Sequence, residues 1–313
     1  MKPRRTGLLF GLTLAITAVT SPPAPAQVTG RSADPVTTDP TQVDTAYPPR
    51  AAELAIDSRG SRLNVFLYLA AGKGPHPTVI LLHGFPGNER NGDLAQAFRR
   101  AGMNALVYSY RGAWGNGGTF SFGHALEDVA SAIDFVRSDS SVAAFGIDRQ
   151  RVILLGHSMG GWLALMGAAA AGESVACTVA LDFWNVGADG RRMRGDPARD
   201  TSLASYMRWV AEPGGPLRAE NGSRGLIAEM GEHADEWDVQ RKAVSLAPRP
   251  TLLIAAANTE AHSKLAAALE AAHARRVTVL QWKTDHSFSD RRIQLARTII
   301  DWLRRQCGRA VQR

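Results

Sequence analysis

A serine among three glycines carries the first chemical signal. Val152–Ala171 reads VILLGHSMGGWLALMGAAAA: an apolar run, a turn, then a helix of small residues. A sharp strand-to-helix turn that lifts one side chain out of a sheet leaves its neighbours no room. Gly156 and Gly160 meet that demand, and Gly161 adds space for helix packing. Ser158 is therefore expected at the tip, with its hydroxyl at the carboxyl end of a strand and at a positive helix N-terminus. A plain turn serine that caps the helix is the competing reading.

A serine hydroxyl attacks carbonyl carbon only after a base takes its proton. Of eight histidines, His76, His233, His262 and His273 lie in polar surroundings and read as solvated. His124 opens a helix, and His157 adjoins the serine and points elsewhere. His286, in TDHSFSD between the last strand and the last helix, is where a loop from a strand end returns to Ser158. The oxyanion formed on attack needs two N–H donors. Met159, directly after the serine, supplies one; Phe85 in HGFPGN supplies the other, since Pro86 has no N–H. His83 reads as structural.

The elements that must position these groups are legible as short, unbroken apolar runs: TVILLH, NALVYSY, RVILLG, CTVALD, TLLIAAA and RVTVLQW. Strands buried on both faces lose the period-two alternation, so runs of this kind between helices predict a doubly wound, mostly parallel α/β sheet. The helices are expected at Asp93–Ala101, His124–Arg137, Ser158–Ala171, Glu260–Ala274 and Ser289–Gln306. AELAIDSRG and SRLNVFLYLA add an antiparallel hairpin at the edge. Between Asp182 and Pro250 no strand is evident, and residues 183–249 are expected to form a helical cap. Tyr110, Trp114, Phe120, Phe183 and Trp184 are candidates to line a pocket. Arg191, Arg192, Arg194 and Arg199 make the cap locally basic, either to meet a carboxylate or as a solvated face.

HGFPGN, GHSMGG and TDHSFSD stand in an order and spacing that resembles the α/β-hydrolase superfamily over about residues 50–306. The chain is similar to its small esterases and to prolyl-oligopeptidase-like catalytic domains. The resemblance implies a Ser, acid, His triad in chain order and hydrolysis of an acyl ester or a related bond, with no cofactor and no metal. It places the acid shortly after TLLIAAA, where this sequence continues NTEAHSK. Glu260 is the favoured acid there, with Asn258 nearby instead of an Asp. Asp182, at the end of the preceding strand, is the alternative.

The first residues have the parts of an export signal. Lys2, Arg4 and Arg5 precede an apolar run from about Gly7 to Val19, and Ala24-Pro25-Ala26 offers a cleavage site, so 1–26 reads as a signal peptide. Residues 27–50, rich in Pro, Thr, Ser and Asp, read as a flexible linker to a hydrolase domain over 51–313. The formal charge of +7 includes the three basic residues of the leader, leaving about +4. No basic run is interleaved with aromatics, so nucleic acid is not an expected partner, and no stable membrane insertion is expected after cleavage. Cys177 and Cys307 are as compatible with two thiols as with a disulfide. The expected function is an exported serine hydrolase of small or medium soluble carboxylic esters. An amidase or peptidase of the same fold, and a binding protein without catalysis, stand as alternatives.

Overall fold

Alternation in the first folded stretch makes β1 (Arg50–Ser58) and β2 (Ser61–Leu69) an antiparallel hairpin, with Leu63, Val65 and Leu67 buried and Arg62 and Asn64 exposed. The computed structural model describes residues 34–194, 201–257 and 259–307. After the hairpin come β3 (His76–Leu82), β4 (Asn104–Tyr108), β5 (Ile147–His157), β6 (Cys177–Leu181), β7 (Thr251–Ala255) and β8 (Val277–Gln281). They form one sheet in the order β1-β2-β4-β3-β5-β6-β7-β8, parallel from β4 to β8. β2 runs antiparallel to both of its neighbours.

The central runs are apolar throughout because each strand feeds two cores. Ile80, Leu82 and Leu154 pack under α2 (Phe122–Arg137), α4 (Met159–Ala171) and α9 (Thr259–Ala271). Val79, Leu81, Ile153 and Leu155 pack under α1 (Gly92–Arg100) and α10 (Arg292–Gln306) on the other face. β8 departs from the expected double burial: as the sheet edge it pairs only with β7, and Val279 is 44% exposed. α3 (Asp139–Phe145) was not evident in the sequence; it is one short turn-rich helix whose Ser138 cap accepts from Ser141 N–H.

Between β6 and β7 the chain is helical: α5 (Val186–Met193), α6 (Thr201–Ala211), α7 (Gly222–Glu232) and α8 (Ala243–Leu246). This insertion is tied to the body at the N-terminus of α2, where Glu229 accepts from the N–H groups of Phe122 and Gly123. It also pairs Leu217 with Ala113 and Ala219 with Phe120.

Cys177 and Cys307 form a disulfide, with Cα atoms 6.1 Å apart, that joins the start of β6 to the end of α10. Residues 34–49 form neither helix nor strand, yet they are not loose at their start. Arg297 Nε donates to Asp34 (2.9 Å), and Arg100 donates to the carbonyls of Pro35 (2.6 Å) and Val36 (3.0 Å). The expected leader lies outside the described residues.

Candidate active site

Ser158 links β5 to α4 with φ 56° and ψ −123°, a conformation that L-residues avoid and that costs on the order of 1–3 kcal/mol. Its N–H donates to Leu181 O (2.9 Å), and its carbonyl accepts from Gly161 N (3.0 Å) and Trp184 N (3.1 Å). The two flanking glycines are sterically required. A Cβ on Gly156 would lie 1.8 Å from Gly160 O, and one on Gly160 would lie 1.9 Å from Leu82 O.

The loop after β8 brings His286 to the end of β6, where its Nδ1–H donates to Asp182 Oδ2 at 2.6 Å. Asp182 is fully buried, and its other oxygen accepts Ala256 N–H at 2.8 Å. Glu260, the acid favoured from the sequence, is elsewhere. It sits on the exposed first turn of α9 and pairs with Lys264 Nζ at 2.6 Å, an ammonium that holds its carboxyl below the usual range. The difference is topological: β6 is the neighbour of β5, so its last residue falls beside Ser158, whereas α9 has already turned outward. Asn258 lies outside the described residues.

His157 does not point away from the site. Its ring lies 4.5 Å from that of His286, centroid to centroid, and its Nε2–H donates to His286 O at 2.7 Å. Burial lowers its pKa to about 4, so the ring is neutral near pH 7 and suited to this bond. The one sequence clue to this role is position, since the residue before a nucleophile at a strand end lies where the histidine loop must return. Among the described residues no hydrogen bond joins Ser158 Oγ to His286; such contacts are often loose before substrate binds. Of the other histidines, His262 is fully buried against Phe183, contrary to the solvated reading.

The loop after β3 packs on the serine: a Cβ on Gly84 would lie 3.6 Å from Ser158 Oγ. Five successive carbonyl oxygens of this loop are each held by a side chain. His83 O accepts from Tyr110 OH (2.9 Å), Gly84 O from His83 Nδ1 (2.7 Å) and Phe85 O from Tyr206 OH (3.0 Å). Pro86 O accepts from Trp114 Nε1 (2.8 Å) and Gly87 O from Arg90 Nε (3.3 Å). Burial lowers the His83 pKa to about 4, so it donates as a neutral ring. The Gly84–Phe85 peptide is trans and planar, so fixing Gly84 O turns Phe85 N–H to the opposite side. Among the described residues neither Phe85 N–H nor Met159 N–H has a backbone acceptor.

The apolar wall differs from the expected one. Tyr110, Phe120 and Phe183 are buried core residues, and Trp114 is 43% exposed. The Phe85 ring instead meets those of Phe120, Phe122, Trp184 and Tyr206 at 5.8–6.1 Å. Trp184 alone of the expected set stands half-buried on a residue whose N–H touches Ser158. The basic run of the cap is neutralised: Arg191 pairs with Asp235 and Asp238, Arg192 with Asp189, and Arg194 with Asp235. Arg199 lies outside the described residues.

The model of the alpha/beta hydrolase family matches residues 79–308, which include the loop after β3, the serine turn and the loop that carries His286. This chain belongs to the alpha/beta hydrolase family. Similar solved structures include Est1E from Butyrivibrio proteoclasticus (TM-score 0.60, 14% identity, 82% of this chain and 99% of that one). EstE1, a thermophilic carboxylesterase cloned from a metagenomic library, is also similar (TM-score 0.57, 18% identity, 82% and 90%). So is the acylaminoacyl peptidase of Pyrococcus horikoshii (TM-score 0.60, 15% identity, 85% and 43%). At these identities the likeness is one of fold. A protein of Salmonella typhimurium, "Uncharacterized protein YfhR", is 37% identical over 101 residues, and the match spans 32% of each chain. This alpha/beta hydrolase brings Ser158, Asp182 and His286 to the carboxyl ends of β5 and β6.

Proposed function

We propose that the protein is an exported serine hydrolase that cleaves carboxylic esters of small or medium soluble substrates. Ser158 Oγ attacks the carbonyl carbon while His286 Nε2 takes its proton. The oxyanion is bound by Phe85 and Met159 N–H groups, and His286 returns the proton to the leaving alcohol. Water then attacks the acyl-serine by the same route, freeing the carboxylic acid. Asp182 holds the ring tautomer and stabilises the imidazolium; Glu260 has no part in this mechanism. The observation that carries the reading is the 2.6 Å bond between buried Asp182 and His286, on the strand next to a serine turn where a Cβ on either flanking glycine would strike backbone. The leader pattern and the Cys177–Cys307 disulfide support an oxidising destination. The ion-paired cap surface favours soluble over oil-interface substrates.

The test is hydrolysis of p-nitrophenyl esters from acetate to decanoate, and of the matching anilides, by the chain from Gln27 onward beside Ser158→Ala. Ester turnover lost in Ser158→Ala supports the reading. Turnover of anilides alone moves the substrate class to amides. No turnover together with no labelling of Ser158 by a fluorophosphonate replaces it with a binding role.

A further inference from the structure

Four of the five side chains that hold the oxyanion loop belong to the body of the domain; the fifth does not. Tyr206 comes from α6 in the insertion, and its hydroxyl donates to Phe85 O at 3.0 Å. The peptide after Phe85 offers no other polar handle, because Pro86 has no N–H. The peptide before Phe85 is fixed by His83 at Gly84 O. A residue whose two flanking peptide planes are both pinned has its φ and ψ fixed, and with them the direction of its N–H. We infer that Tyr206 is a positioning residue through which the helical insertion sets the oxyanion donor at Phe85. The inference rests on the ester-hydrolase reading above.

Two further contacts fit this role. The Tyr206 ring meets that of Phe85 edge-on at 5.9 Å, so one side chain braces both the backbone and the ring of the donor residue. Its other side stacks on Trp209 at 5.8 Å, and both rings remain open to solvent, at 40% and 61% exposure. Partial burial raises the Tyr206 pKa, which keeps the hydroxyl protonated as a donor. On this inference, oxyanion stabilisation depends on how α6 is seated.

The experiment compares wild type, Tyr206→Phe and Tyr206→Ala on p-nitrophenyl butyrate, with hydrogen–deuterium exchange over residues 83–89 of each. Loss of the hydroxyl alone should lower kcat roughly tenfold, part of the effect of deleting an oxyanion donor, with KM changed less than about twofold. Exchange over the loop should quicken. Tyr206→Ala should add a rise in KM from the lost ring. Wild-type kcat and exchange in Tyr206→Phe, with only KM raised in Tyr206→Ala, overturns the inference and leaves the ring as a wall. Wild-type protein that neither turns over esters nor reacts with fluorophosphonate overturns the hydrolase reading, and this coupling with it.

Discussion

The ends of β6 and the residues beyond β7 each offer a carboxylate to the same region of the chain, and the two have opposite surroundings. Asp182 is fully buried, accepts Ala256 N–H and the His286 ring, and stands on the strand beside the serine turn. Glu260 is about 80% exposed and pairs with Lys264 one turn along its own helix. A carboxylate orients a catalytic imidazole when it is itself fixed and dry; in water, side-chain entropy and screening leave little of the pair's attraction. β6 is also pinned at its other end by the Cys177–Cys307 disulfide, so this acid sits on a strand held from both ends.

On the proposed mechanism, replacing Ser158 is the largest perturbation. Ser158→Ala should lower kcat on esters by at least about 10⁴-fold, read by steady-state hydrolysis. Asp182→Asn should follow, with a loss of roughly 10³–10⁴-fold, because an amide at this position accepts or donates in the wrong sense and favours the wrong tautomer. Cys307→Ser removes the far anchor of β6. It should lower stability by about 2–5 kcal/mol in urea unfolding.

The pH dependence of stability reports on two buried imidazoles, His83 and His157. His157 and His83 have folded pKa values of about 4, below the unfolded value of about 6.5, so the unfolded chain binds more protons between these limits. Their neutral forms hold the loops, and that stability is complete above about pH 6.5 and is lost as pH falls toward 4. Each contributes at most on the order of 3 kcal/mol. His157→Gln should flatten the fall in urea midpoint between pH 7.5 and pH 5; an unchanged slope removes His157 from the account. The smallest effect should be that of Glu260→Gln, with kcat within about twofold of wild type.

The frame was legible because its signals are steric and local. The central β3–β7 runs are unbroken in apolar residues since both faces are covered, and Gly156 and Gly160 are dictated by backbone atoms less than 2 Å from where a Cβ would stand. The placement of Ser158 at the β5–α4 turn and of His286 in the loop after β8 follows from chain order. The acid was not legible in the same way, because Asp182 and Glu260 are both carboxylates after strands, and only strand adjacency and burial separate them. His157 and Tyr206 were missed for a related reason. Their roles are hydrogen bonds to carbonyls 129 and 121 residues away, which no local pattern records. The wall was misread because Tyr110 and Phe120, from a loop whose composition resembles a pocket rim, and Phe183, just after β6, fill the core.

The most direct test is the rate at which a fluorophosphonate labels Ser158 in wild type, Asp182→Asn and Glu260→Gln, measured side by side on folded protein. The account predicts a rate near wild type for Glu260→Gln and a collapse of roughly 10³-fold or more for Asp182→Asn. The reverse order, with Glu260→Gln slow and Asp182→Asn unaffected, would contradict it.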